Sequence, residues 1–156
     1  MEEFKILDYE EPMLDEMMQL FYDTVHTVNA RHYRKDQLNG WAPENSDKRF
    51  WEERLRKNVC KVAFLNNQMV GFTELVDDNH VNTLYVHKDF QRRKVAAKLM
   101  QELMQIAERR NCTMLTTEAS ITAKPFFEAH GFRVTRIKKK LYNGKDFTNY
   151  KMKKVL

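Results

Sequence analysis

The stretch "HKDFQRRKVAAKLM", residues 87–100, joins the end of a β-like run to the start of a helical one. Downstream of it, Val95, Leu99, Leu103 and Ile106 alternate with Ala96, Met100, Met104 and Ala107. That spacing predicts a helix over 95–110. Upstream, "HVNTLYV", residues 80–86, reads as a strand. The junction carries Arg92, Arg93 and Lys94 in a row, with Gln91 as a neutral donor before them. A helix start aims unpaired N–H groups and the positive end of the helix dipole at one point, which suits an anion such as a phosphate. A solvated basic cap would have the same composition. No glycine is present to let the backbone curl around the anion.

Working outward, Phe4 to Asp8 reads as a first strand. Pro12 suits a first helical turn, and Met13, Met17, Phe21, Val25 and Val28 then predict one amphipathic helix over 11–30. "NARHYRKDQLNGWAPEN", residues 29–45, breaks the period with Gly40 and Pro43 and reads as a connection. A helix follows over 47–57, with Phe50, Trp51 and Leu55 on one side. "VCKVAFL" and "MVGFTELV" precede the strand at 80–86, and the polar turns Asn66-Asn67-Gln68 and Asp77-Asp78-Asn79 between them signal antiparallel hairpins. Beyond the long helix come the strand "TMLTTE", a short helix over 123–130 stopped by Gly131, and the strands "FRVTRIKK" and "DFTNYKMKKV" around Asn143-Gly144. The order β-α-α-β-β-β-α-β-α-β-β implies an α/β (α+β) fold. Its sheet is mixed and largely antiparallel, with one parallel crossover through the helix at 95–110.

The chain has 156 residues, 42% of them apolar, and no linker or repeat, so one domain over 3–156 is expected. Twenty-seven Lys and Arg against 22 Asp and Glu give a net charge of +5. That balance suits an anionic ligand. Lys138, Lys139 and Lys140, and Lys151, Lys153 and Lys154, sit in strand patterns with no nucleic-acid motif, so a basic nucleic-acid-binding domain is a minor alternative. Cys60 and Cys112 fit no metal spacing and read as free thiols in a reducing compartment. No apolar run approaches the roughly 18 residues a membrane span needs, and no signal-peptide pattern opens the chain. The expectation is a cytoplasmic protein with no metal, no membrane and no nucleic-acid partner.

Leu84-Tyr85-Val86 followed by Gln91-Arg92-Arg93-Lys94-Val95-Ala96 resembles the acetyl-CoA signature of the GNAT superfamily of N-acetyltransferases: a strand, then Gln/Arg-x-x-Gly-x-Gly/Ala opening a helix. "EASITAKPFFEAHGF", residues 118–132, is similar to the second half of that family's cofactor site, and the element order matches almost end to end. The resemblance implies a GNAT-type sheet whose parallel strands, 80–87 and 113–118, splay apart to admit the pantetheine arm. It further implies pantetheine bonds from the backbones of Leu84, Tyr85 and Val86. Gln91 and the segment Arg92, Arg93, Lys94, Val95, Ala96 and Ala97 would hold the pyrophosphate. Ser120 and Lys124 would contact the cofactor's distal parts, and Phe127 would flank the thioester. Two departures stand out. Lys94 replaces the first motif glycine, so the loop either keeps a negative φ or accepts strain of about 1 kcal/mol. Phe127 replaces a tyrosine that protonates the departing thiolate in many members.

Acetyl transfer from acetyl-CoA to a primary amine needs a neutral amine, a polarised carbonyl and a sink for the amine's proton. Glu118, at the end of the splayed strand, is the first candidate for that base, and Glu74, a mid-strand acid, is the second. The acceptor pocket in this fold is roofed by the first helices, which points to His26, Asn29, Tyr33 and Trp41. No acidic cluster favours a polycation, so a small amine, an amino acid derivative or a protein N-terminus fits, on a monomer or homodimer. A non-catalytic acyl-CoA sensor is the alternative that Lys94 and Phe127 together suggest.

Overall fold

The computed structural model describes residues 3–156. Seven strands form one sheet in the order β1-β2-β3-β4-β5-β7-β6. They are β1 (Phe4–Asp8), β2 (Val59–Leu65), β3 (Gln68–Val76), β4 (His80–Val86), β5 (Met114–Ala119), β6 (Arg133–Tyr142) and β7 (Lys145–Val155). Every neighbouring pair is antiparallel except β4 and β5. The helices are α1 (Leu14–Thr27), α2 (Lys35–Trp41), α3 (Lys48–Lys57), α4 (Val95–Arg109) and α5 (Lys124–Ala129). The expected mixed sheet with its single parallel crossover is present, and α4 provides that crossover.

The tight hairpins have a local cause. Asn66 and Asn67, and likewise Asp77 and Asp78, take positive φ at both central positions, as does the pair Asn143-Gly144. Twist-matched two-residue turns demand that geometry, and Asn, Asp and Gly tolerate it best. The turn at Asn143-Gly144 closes a longer ribbon than expected, since β6 runs on to Tyr142.

Two expectations about the first half of the chain need correction. The helix foreseen over 11–30 is an α-helix only from Leu14 to Thr27, flanked by single 3₁₀ turns at Glu11–Met13 and Asn29–Arg31. The segment foreseen as a connection contains α2. That helix buries only Leu38, too little to write an apolar stripe, and its start is fixed when Arg34 N–H donates to Gln37 Oε1 at 2.8 Å. Gly40 does not break it. Its carbonyl accepts from Asn143 Nδ2 at 2.7 Å, and a Cβ there would lie 3.0 Å from Lys145 Cγ, so the glycine lets α2 pack close to the β6–β7 turn.

The core divides across the sheet. Leu14, Met17, Phe21 and Val25 of α1 pack with Trp51 and Leu55 of α3 against Val62 and Phe72. Met100, Leu103 and Ile106 of α4 pack with Phe127 and Phe132 against Leu75, Leu115 and Met152. The α4 start sits tightly on the strands at Gly71, where an added Cβ would lie 2.9 Å from Tyr85 O, 3.0 Å from Val95 Cγ1 and 3.3 Å from Leu99 Cδ1.

The β4–β5 pairing is short. Only His80↔Thr116 and Val81↔Thr117 are in register. The β3–β4 register slips at the next residue, Glu74 facing Thr83 and Leu75 facing Val81, so Asn82 is an extra residue in β4. A bulge bends its strand and strengthens the local twist, and beyond it β4 leaves β5. The strands splay as expected, and the gap opens toward Val86 and Ala119.

Lys94 resolves the missing glycine. It sits at the N-cap of α4 with φ +65° and ψ +17°, and Arg92 also has φ +60°. The left-handed turn survives without glycine, at a backbone cost of roughly 1 kcal/mol or more. Two stability measurements follow. Gly71→Ala forces a backbone shift and lowers the unfolding free energy in urea by about 1–3 kcal/mol. Lys94→Gly relieves the left-handed lysine and raises it by roughly 1 kcal/mol, whereas Lys94→Val lowers it.

Candidate active site

The gap between β4 and β5 opens into a cavity of about 850 Å³, bordered by α1, α2, α3, the start of α4, the β5–α5 connector and the β6–β7 hairpin. At one end, Arg92, Lys94, Val95, Ala96 and Ala97 line it, so the N-terminus of α4 and two cations face the same space. Arg93 lies outside the lining, with its guanidinium 5.1 Å from the Phe90 ring centroid. Gln91 lines the cavity, but its Nε2 donates to Val86 O at 2.7 Å and to His87 O at 3.3 Å, which fixes the strand end.

The strand edge itself is selective. His87 N–H donates to Val70 O at 2.8 Å. Antiparallel pairs alternate, so this bond turns the backbone of Tyr85 toward Phe72 and leaves that of Leu84 and Val86 facing the gap. The Val86 carbonyl already accepts from Thr24 Oγ1 at 3.0 Å as well as from Gln91. What remains for an incoming amide chain or carbonyl is the N–H and C=O of Leu84 and the N–H of Val86. Tyr85 contributes its ring instead, in edge contact with Phe21 at 5.0 Å and with Trp41 at 6.5 Å.

Those rings belong to an aromatic wall. Trp41 also meets Tyr33 at 5.2 Å and Phe147 at 6.0 Å, and all of them line the cavity. Tyr33, Trp41 and Asn29 are thus brought together there, Asn29 almost fully buried. His26 is not. Its Nε2 donates to Ala42 O at 2.7 Å and its ring stacks on Tyr22, outside the lining.

On the facing side, Glu118, Ser120 and Phe127 line the cavity. Ser120 Oγ accepts from Ala123 N–H at 3.1 Å and closes the turn into α5. Phe127 is buried between Phe126 and Phe132, at ring distances of 5.4 and 5.1 Å. Lys124 stands outside, with Nζ 3.4 Å from Glu128 Oε1 and 5.1 Å from the Tyr150 ring centroid.

The two acids have different surroundings. Burial pushes the Glu118 carboxyl up, but the ammonium groups of Lys138 at 3.1 Å and Lys140 at 3.4 Å outweigh it and hold the group below its ordinary range. Glu118 is therefore ionised at neutral pH. Glu74 is fully enclosed and does not reach the cavity lining. Asn58 Nδ2, Asn82 Nδ2 and Thr83 Oγ1 donate to it at 2.7, 2.9 and 3.3 Å. Arg54 Nε lies 3.2 Å away without hydrogen-bond alignment, so its attraction is coulombic. This carboxylate, saturated with donors, ties α3 to the bulge at Asn82.

His80 belongs to the lining and carried no sequence signal beyond its place at a strand start. Its Nδ1 pairs with Thr116 Oγ1 at 2.8 Å, where β4 and β5 still touch. Burial lowers its pKa and outweighs the opposite pull of Glu118, so the imidazole is neutral at pH 7. Thr24, Arg54 and Asn82 also line the cavity unforeseen. Among the described residues no group of three or more His, Cys, Asp or Glu converges, and no helix is long and apolar enough to cross a membrane. Cys60 and Cys112 are unpaired, and burial pushes the Cys60 thiol up to about 12.

Residues 29–154 match the acetyltransferase (GNAT) domain family. An uncharacterised N-acetyltransferase of Escherichia coli K12, YafP, is 32% identical over 153 residues, covering 98% of this chain and 97% of that protein. A GCN5-related N-acetyltransferase from Rhodopseudomonas palustris superposes with a TM-score of 0.95 at 28% identity, over 97% of this chain and 95% of that one. The PaiA N-acetyltransferase of Thermoplasma acidophilum, solved in complex with coenzyme A, superposes at 0.80 with 16% identity, over 99% of both chains. Splayed parallel strands, a helix start beside basic residues, and a matching domain over most of the length thus converge: the chain belongs to the GNAT superfamily and is an N-acetyltransferase.

Proposed function

We propose that this enzyme transfers the acetyl group of acetyl-CoA to a primary amine of a small acceptor with an apolar body. The observation that carries this reading is the gap between β4 and β5. Its free Leu84 backbone and the start of α4 open on one cavity whose opposite wall is aromatic. The coenzyme A in the PaiA relative supports the identity of the carrier.

The pyrophosphate would lie on the amides of residues 92–97, with Arg92 and Lys94 supplying charge. The pantetheine arm would pair with Leu84 and Val86. The Leu84 N–H would polarise the thioester carbonyl and take the oxyanion as the amine attacks. Phe21, Trp41, Tyr85 and Phe147 would enclose the acceptor's body, and Asn29 would offer it a polar contact. The one acid in the lining besides the helix-capping Asp47 is Glu118, already paired with two lysines, so a polycationic acceptor finds no counter-charge.

An alkylamine with a pKa near ~10 must shed a proton before or during attack. Glu118 would take that proton, directly or through water. His80, neutral and in the same lining, is the competing sink.

Two measurements test this reading. The double variant Arg92→Glu/Lys94→Glu should keep its fold and weaken acetyl-CoA binding by at least tenfold in calorimetry; unchanged affinity would move the phosphates elsewhere. Glu118→Gln should lower kcat by roughly 10²-fold across an amine panel, read as coenzyme A thiol release. A loss seen only in His80→Asn would assign the proton to the imidazole.

A further inference from the structure

Phe127 lines the cavity where the family resemblance implies a hydroxyl beside the thioester, and other side chains of the same lining carry one. Three tyrosines line it: Tyr33, Tyr85 and Tyr142. Tyr142 is on the exposed hairpin, and the Tyr85 ring is held among Phe21, Trp41 and Phe72, with its hydroxyl against the Trp41 side chain and not on the β5–α5 connector. Tyr33 is different. It lies between the 3₁₀ turn at Asn29–Arg31 and α2, yet its hydroxyl crosses the cavity to the β5–α5 connector, where it accepts the Ile121 N–H at 2.8 Å with the Ser120 hydroxyl beside it.

The placement is held from several sides. His32 Nδ1 pairs with Thr122 Oγ1 at 2.9 Å, so two consecutive residues grip the same short connector. The Tyr33 ring is buried and packed against Trp41 at 5.2 Å and Phe147 at 5.9 Å. The connector gripped in this way leads straight into α5, whose Phe127 N–H donates to Ala123 O at 3.2 Å. Tyr33 thus holds an O–H two residues past the end of β5, in the same cavity whose lining includes Phe127, which presents only carbon. Because the oxygen accepts from Ile121, its own proton is directed elsewhere. Burial raises the Tyr33 pKa above that of a free phenol and keeps this proton in place at neutral pH.

We propose that the Tyr33 hydroxyl is the general acid for the departing thiolate of coenzyme A. This rests on the transfer reaction proposed above. The amine nitrogen forms its bond to the acetyl carbon, the carbon–sulfur bond breaks, and the electron pair goes to sulfur. Tyr33 gives its proton to that sulfur, so that coenzyme A leaves as the thiol. The amine's proton goes to the base, and the phenolate regains a proton from solvent. The Ile121 N–H stabilises the phenolate in the interval.

The test uses the full chain with saturating acetyl-CoA and an amine that the wild type acetylates. Tyr33→Phe should lower kcat by about 10²-fold while acetyl-CoA affinity stays within threefold. Adding Phe127→Tyr to that variant should recover at least tenfold, because the proton is then supplied from α5. As a measurement that leaves packing intact, 3-fluorotyrosine at position 33 should move the alkaline limb of the kcat profile to lower pH. A purely structural role would not move that limb, and an unmoved limb overturns the proposal. So does a Tyr33→Phe enzyme that keeps kcat within threefold, or one whose whole loss lies in KM for the amine, since either makes Tyr33 an acceptor contact. A wild type that releases no coenzyme A with any amine refutes the transfer reading itself, and the proposal falls with it.

Discussion

One extra residue in β4 governs this molecule. Without Asn82 the sheet would continue, with β4 and β5 pairing along their lengths and no polar backbone left over. The bulge ends that pairing after Val81 and Thr117 and exposes strand edge inside the protein. Unpaired backbone is costly when buried, so such an edge persists only where another molecule or water satisfies it. The surroundings hold the bulge open. Asn82 is tied to Glu74, which is also held by Asn58 and Thr83 and faces Arg54. A buried carboxylate with this many donors is expensive to assemble and fixes one geometry once assembled. Glu74 thus serves the site from behind it, by setting where β4 turns.

The α4 junction shows charge and backbone fit exchanging roles. A glycine would let the turn form without strain but would bring no charge. Lysine holds the same left-handed conformation and adds an ammonium facing the cavity. Arg92, also left-handed, does likewise. The energy stored in the loop is of the same order as one charge-assisted contact to a phosphate, so binding can offset it.

Legibility in the sequence followed the size of the local signal. Helix α4 carries six buried residues at helical spacing, and the hairpin turns carry Asn, Asp and Gly where the backbone requires them, so both could be read. Helix α2 buries one residue and could not. The enclosure of Glu74 depends on partners 16 and 8 residues away, and the Tyr33–Ile121 bond spans 88. Contacts of that kind leave no periodicity. Tyr33 was legible as a cavity residue but not as a hydroxyl pinned to the β5–α5 connector. For Tyr85 the strand was legible, whereas the alternation that turns its backbone from the gap depends on the register with β3.

The outermost strand, β6, pairs with β7 on one side only, and Ile137 and Leu141 stand exposed on it. A long strand edge of this kind is a template for another chain. Here Arg133, Arg136 and Lys139 stand exposed along the same strand, while Lys138 and Lys140 turn to Glu118, so two copies meeting edge to edge would bring like charges close together. This edge then carries its own electrostatic protection against pairing. At low ionic strength its repulsion keeps copies apart, and near or above 0.15 M, where the screening length falls to about 8 Å, the protection weakens. Purification and storage of the protein are best planned around that strand.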